Sequence, residues 1–179
     1  MTDETDIAVD EQVQHDAPAA PDAPDGLNED QRIAFTILSE ICAATSLDVR
    51  PEVLRTHSPY MDVELVGPDA ALTFGRYGPS LDALQLVANL IISRRTHTDV
   101  RLLIDAGGYR NRRAEALKTR AQELAREVKA RNQEAELEPL PAHERRIIHT
   151  ALADDPDIET YSEGEDPDRH VVISPRASR

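Results

Sequence analysis

The chain has no tryptophan, one cysteine, and only two phenylalanines and four tyrosines among 179 residues. The solitary Cys42 excludes an intrachain disulfide framework and any cysteine-based metal site within one chain, which fits a reducing compartment. No apolar run approaches the ~18–20 residues that a membrane span needs, and the first residues lack the basic-then-apolar order of a secretory signal. A soluble, cytoplasmic protein without a membrane span is expected. A phosphate-cradling loop of the Gly-rich, Lys-Ser/Thr kind is also missing, and no internal repeat is visible. Lysine and arginine are absent from the first 31 residues, which hold ten acidic side chains.

That last absence explains a net charge of −14 and a pI near 4.8, which taken whole would argue against a nucleic-acid ligand. The charge is partitioned. Residues 32–179 carry only −4; within them residues 100–131 hold nine basic and four acidic side chains, and residues 132–179 hold five basic and twelve acidic. Residues 1–27, with Pro18, Pro21 and Pro24 at every third position and no aromatic side chain, are expected to form a disordered acidic tail. Such a tail is a solubilising segment or an acidic mimic of nucleic acid that competes for the basic surface.

Order is expected from Asn28, an N-cap with Gln31 three residues on. Ile33, Ile37, Leu38, Ile41 and Cys42 make one stripe of a helix ending near Thr45. Two strand-like pieces follow, Val49 to Thr56, weakened by Pro51, and Tyr60 to Val66, where Met61, Val63 and Leu65 alternate with Asp62 and Glu64. Ala70 to Phe74 reads as a short helical turn. Pro79 opens a helix with Leu81, Leu84, Ala88 and Ile91 at 3/4 spacing, and Val100, Leu102 and Ile104 alternate as a strand. After Gly107-Gly108, a long helix from Tyr109 to about Asn132 aligns Ala114, Leu117, Ala121, Leu124, Ala125 and Val128, with Arg112, Arg126 and Lys129 projecting elsewhere. Glu136 to Leu140 is strand-like, Pro141 opens a helix to about Leu152, and strands follow near Ile158–Ser162 and His170–Ser174. The fold class is α+β.

Two short motifs carry chemistry. Gly75-Arg-Tyr-Gly78 lies between two apolar helical segments; glycines let backbone approach a sugar-phosphate strand, and the next helix offers its unpaired N–H groups to a phosphate. Arg76 can meet phosphate or sugar, and Tyr77 can stack on a base or pack on the loop. Taken alone, a Gly-x-x-Gly tetrapeptide is more often a structural turn. Arg145 and His149, four apart on a helix, share one face, and both can donate to phosphate oxygens, His149 with charge only when protonated. The plainer reading is a solvated face with Arg145 paired to an acid.

Several stretches in order then resemble one family: Phe74-Gly-Arg-Tyr-Gly78 with Leu81-Asp-Ala-Leu-Gln85; Asp105-Ala-Gly-Gly-Tyr-Arg110 with Arg112-Arg113; Leu137 to His149; and Thr160-Tyr-Ser-Glu-Gly164 with Arg169. From about Asn28 to Pro175 the chain resembles the bacterial Jag/KhpB family, the SpoIIIJ-associated RNA-binding proteins, which join a K-homology (KH) domain to an R-3-H domain named for its Arg-x-x-x-His motif. The resemblance implies a type II KH domain over 28–106, a three-stranded sheet with helices on one face, and a small α/β R-3-H domain over 107–176. It implies RNA contact by Gly75, Arg76, Tyr77, Gly78, Arg145 and His149, with Arg112, Arg113, Arg146 and Arg169 as further candidates. The third loop position, often basic in relatives, is Tyr77, which favours stacking over charge. The acidic tail stands where many relatives carry an N-terminal Jag domain.

The resemblance further implies a post-transcriptional regulator or RNA chaperone linked to cell division and envelope growth. A second implied role is an adaptor that dimerises with a small single-KH-domain protein near the YidC/SpoIIIJ membrane insertase. Single-stranded DNA is an alternative ligand, because a 2′-hydroxyl contact leaves no signature in sequence. Catalysis, a cofactor and a metal are not expected. His143 and His149 are six apart, whereas a zinc-binding helix places its histidines at i and i+4, and Cys42 falls on a core stripe.

Overall fold

Asn28 caps the first helix as the sequence pattern requires. Its side chain accepts from the Gln31 N–H at 2.9 Å while the Gln31 side chain accepts from the Asn28 N–H at 3.1 Å, closing a capping box on helix α1, Glu29–Ala44. The computed structural model describes residues 23–75, 77–96 and 99–176. Most of the acidic tail, residues 1–22, lies outside them, as do Arg76, His97, Thr98 and residues 177–179. Among the described residues the protein is a mixed α+β fold of four α-helices and two three-stranded sheets.

The chain divides into two compact units. One takes the described residues up to Leu72 together with 83–104; the other takes 73–82, which includes the glycine loop, together with residues from 105 onward.

In the first unit, strands β1 (Arg50–His57), β2 (Tyr60–Val66) and β3 (Arg101–Ala106) form a sheet in the order β1-β2-β3. Met61, Val63 and Leu65 are buried at alternate positions of β2, so one face of the sheet is covered. Pro51 sits in β1, an edge strand, where a missing N–H costs no ladder bond on the outer side. The register of β1 against β2 slips between Val53 and Arg55, leaving Leu54 exposed. Phe35, Ile37, Leu38 and Cys42 of α1 are buried, and burial pushes the Cys42 thiol up to about 11, so it is inert at neutral pH.

Helix α2 (Pro79–Thr96) departs from the expected stripe. Leu81, Ala88 and Ile92 are the fully buried positions, and Leu84 and Ile91 are only half-buried. Polar side chains explain the rotation. Asn89 accepts from the Leu102 N–H at 2.8 Å and donates to the Leu102 carbonyl at 3.0 Å, and Gln85 accepts from the Ile104 N–H at 2.8 Å. These amides satisfy the outer edge of β3, which would otherwise present unpaired backbone groups.

In the second unit, α3 (Tyr109–Arg131) buries Leu117, Ala121, Leu124, Ala125 and Val128, with Ala114 half-buried. These side chains share one core with Ile148 and Leu152 of α4 (Ala142–Leu152), Ile158 of β5 (Ile158–Glu163), and Val171 and Ile173 of β6 (His170–Pro175). The sheet order is β4-β6-β5, antiparallel throughout. Strand β4 is shorter than expected, Ala135–Glu136. Pro139 has no N–H to offer a ladder, so beyond Glu136 only isolated bonds continue, from the Leu137 N–H to the Val171 carbonyl and from the Leu140 N–H to the Arg169 carbonyl.

Replacing Asn89 with Ala removes both partners of Leu102 in a half-buried setting. Urea unfolding followed by circular dichroism is expected to show a loss of about 1–3 kcal/mol.

Candidate nucleic-acid interface

Three described residues of the loop are left-handed: Gly75 at φ 61°, Tyr77 at φ 68° and Gly78 at φ 87°. Glycine is needed at both ends for space as well as conformation. A Cβ on Gly75 would lie 2.6 Å from Ser80 Oγ, and one on Gly78 would lie 2.8 Å from a ring carbon of Tyr109. Phe74 stacks on that same Tyr109 ring at 4.3 Å between centroids, so the loop is fastened to the first residue of α3. The Tyr109 hydroxyl is buried without a hydrogen-bond partner, and that burial raises its pKa.

Tyr77 is a bulky residue in the left-handed region, a conformation that costs about 1–3 kcal/mol and persists only where surroundings impose it. Its ring is 48 % exposed, with the Arg113 guanidinium 4.7 Å from its centroid. Arg113 is itself held as a fork by the buried Glu144 carboxylate, with Nε and Nη2 donating at 2.8 and 3.0 Å. Arg110 pairs with Asp82 at 2.8 Å in the first turn of α2. Arg76 lies outside the described residues, so the loop's basic position has no geometry here.

The Arg-x-x-x-His pair is engaged within the protein. Arg145 is buried; its Nη1 donates to the Leu140 carbonyl at 2.6 Å and to Asp166 at 3.3 Å. It thereby ties α4 to the segment ahead of it and to the turn between β5 and β6. His149 lies between two hydroxyls of β5, with Nδ1 2.7 Å from Thr160 Oγ1 and Nε2 3.0 Å from Ser162 Oγ. Desolvation, helped by the Arg145 charge, lowers its pKa and so favours the neutral ring.

Arg112, Arg146 and Arg169 are at the surface, and Arg112 turns back to donate to the Gly107 carbonyl. The basic stretch of α3 is extensively paired. Lys118 meets Glu115 at 2.7 Å, Lys129 meets Asp155 at 2.8 Å, and Arg120 meets Glu123 at 3.7 Å, in addition to the Arg110 and Arg113 pairs. Its positive surplus is smaller at the surface than in the sequence. Asp82, Tyr109 and Glu144 were not among the expected site residues: each acts on the loop or its supports through a partner distant in sequence, and their only advance signal is that they fall within the family-like stretches. Among the described residues no group of three potential metal ligands converges, and no helix is long and apolar enough to cross a membrane.

The lowered pKa of His149 has a signed consequence. An unfolded chain binds a proton at the ordinary histidine value of 6.5 before the native state does. The stabilisation by neutral His149 is therefore complete above that value and is lost as pH falls towards the depressed one. NMR titration of the His149 ring is expected to give a midpoint below 6.5, and His149→Gln should flatten the fall in stability from about pH 7 to about pH 5.5.

The R-3-H domain family model matches residues 115–175. Three curated relatives, each named RNA-binding protein KhpB, match more of the chain. The protein from Clostridium symbiosum is 37 % identical over 148 residues, 82 % of this chain and 65 % of the relative. That from Lactiplantibacillus plantarum is 39 % identical over 105 residues, 59 % of this chain and 33 % of the relative, and that from Bacillus subtilis 38 % over 112 residues, 62 % and 54 %. The chain thus spans between a third and two thirds of the length of these relatives. The R-3-H match takes in the Arg-x-x-x-His helix, the first of these relatives aligns with most of the chain, and the chain belongs to the Jag/KhpB family.

Proposed function

We propose that the protein binds single-stranded RNA without catalysing a reaction. In this reading the glycine loop, Gly75, Arg76, Tyr77 and Gly78, is the backbone grip of a type II KH domain over 28–106, and the R-3-H domain over 107–176 extends the footprint. The observation that carries it is the loop itself. Two glycines whose Cβ positions are already occupied, flanking an exposed tyrosine backed by a guanidinium, make a backbone-approach site with a stacking platform. The order α1-β1-β2-α2-β3 around a three-stranded sheet supports the KH assignment, and the relatives' name supports RNA as the ligand.

Within this reading the arginines divide their work. Arg145, held by Leu140 and Asp166, positions the turn between β5 and β6 and the start of α4, whereas Arg112, Arg146 and Arg169 at the surface supply phosphate contacts beside Arg76. Arg113 supports Tyr77, and His149, whose two ring nitrogens meet Thr160 and Ser162, holds those hydroxyls of β5 in place. Because most contacts fall on backbone, the cellular role suggested by the family, a cytoplasmic post-transcriptional regulator or RNA chaperone tied to cell division and envelope growth, suits a binder of many transcripts.

The exposed apolar side chains Leu86, Val87 and Leu90 of α2 favour a second, compatible role as an adaptor for a protein partner, such as a small single-KH-domain protein. Leu86→Glu with Leu90→Glu should abolish recovery of such a partner in a pull-down while RNA crosslinking persists.

Replacing Arg76 and Tyr77 together with Asp is expected to lower crosslinked RNA markedly in the protein's own cell; undiminished crosslinking removes the loop from the mechanism. With four arginines on phosphates, raising salt fourfold from about 50 mM should weaken binding of a single-stranded RNA by about fiftyfold, measured by fluorescence anisotropy. Matched DNA of the same sequence in that assay separates a general single-strand binder from an RNA binder.

A further inference from the structure

A cleft of about 620 Å³ opens beside Tyr77 within the second unit, a volume typical of a small-molecule site. Its walls are Tyr77, Pro79, Pro139, Pro141 and Pro167, with Arg113 behind. Four proline rings and a tyrosine make rigid, flat, apolar walls, and proline contributes no N–H. Besides Arg113 and the Tyr77 hydroxyl, the polar side chains that line the cleft are carboxylates: Asp82, Glu138, Glu144 and Asp166.

The charge balance narrows the occupant. Asp82 is paired with Arg110 at 2.8 Å, Glu144 with Arg113 at 2.8 Å, and Asp166 with Arg145 at 3.3 Å. Glu138 lies 3.9 Å from Arg113 and its side chain is 55 % exposed. A phosphate is disfavoured, because the lining carboxylates outnumber the single lining guanidinium, which is already engaged by Glu144. A polycationic peptide gains little, because three of the four carboxylates already have a close arginine. A neutral planar ring that donates hydrogen bonds from its edge suits both the flat walls and the acceptor lining.

We propose that this cleft holds one unpaired nucleobase with a donor-rich edge, guanine before the others, stacked on Tyr77 and read by Glu138. Guanine presents N1–H and N2–H side by side, which one carboxylate accepts together. Adenine and cytosine set a single amino group next to an acceptor, and uracil flanks its only N–H with two carbonyls that would face the carboxylates. The inference rests on the RNA-binding reading and adds to it: the chain reads one base as well as the backbone, and the loop's tyrosine is where the two meet.

The test compares a short oligouridine with the same oligomer carrying one central guanine, titrated against the full chain by fluorescence anisotropy. The guanine oligomer is expected to bind about tenfold more tightly, and Glu138→Gln should bring that ratio close to one. Glu138 is exposed, so the variant should keep the far-ultraviolet spectrum of the parent. An amide-resolved NMR titration with the guanine oligomer should move the signals of Tyr77, Glu138 and Asp166. Equal binding of the two oligomers, or a ratio that survives Glu138→Gln, overturns the pocket while leaving the RNA reading in place. Failure of both oligomers to bind overturns both. If an oligoarginine peptide shifts those three signals and neither RNA does, the cleft is a protein-docking site and the base pocket is wrong.

Discussion

The interaction on which the candidate site depends is the pair between the half-buried Arg113 of α3 and the buried Glu144 of α4. A charged pair taken out of water costs desolvation on both sides, and it persists where geometry is favourable and the remaining groups are satisfied. Here the carboxylate takes both guanidinium arms, and the guanidinium lies over the Tyr77 ring. One ion pair thereby joins two helices and supports a tyrosine held in a backbone conformation that it would not adopt alone. Loss of Arg113 would leave the buried Glu144 carboxylate without this cation, and loss of Glu144 would leave Arg113 only the more exposed Glu138 at 3.9 Å; either change would remove the support of the loop.

Charge is distributed on the same pattern throughout the second unit. An acidic protein can offer nucleic acid a usable surface if its carboxylates pair with its own cations in places where phosphate does not go. Arg110, Arg113, Lys118, Arg120 and Lys129 all face acids in the structure, and Arg145 is buried against Asp166. The surface arginines that flank this network are few. Affinity on such a surface leans on stacking and backbone approach, which agrees with the exposed Tyr77 of the proposed grip.

Much of the fold was legible from local rules. The capping box at Asn28, the alternation of Met61, Val63 and Leu65, and the 3/4 spacing of Leu117, Ala121, Leu124 and Val128 each follow from the geometry of one element. Two elements differ from the expectation, each for its own reason. In α2 the expected Leu81 and Ala88 are buried, but Ile92 takes the inner place expected of Ile91, because Gln85 and Asn89 are needed against the edge of β3 and hydrophobic periodicity is blind to an amide that caps a strand. Strand β4 stopped early because Pro139 interrupts its donors. Of the candidate site, the residue identities at Gly75, Tyr77, Gly78, Arg145 and His149 were visible, but not what surrounds them.

By itself the sequence determined the element order, the acidic and basic partition, and the two motifs, because each depends on residues close together along the chain. Tertiary structure alone decided which cations are paired and which remain at the surface, since pairs such as Arg113–Glu144 and Arg145–Asp166 join residues 31 and 21 positions apart. It also decided that the His149 pKa lies below its ordinary value: desolvation in the packed chain is the leading cause, ahead of the Arg145 charge, and burial is not encoded in the spacing of the motif. Local spacing says which groups could meet a ligand, while burial and pairing, which are properties of the packed chain, say which of them still carry a charge to offer.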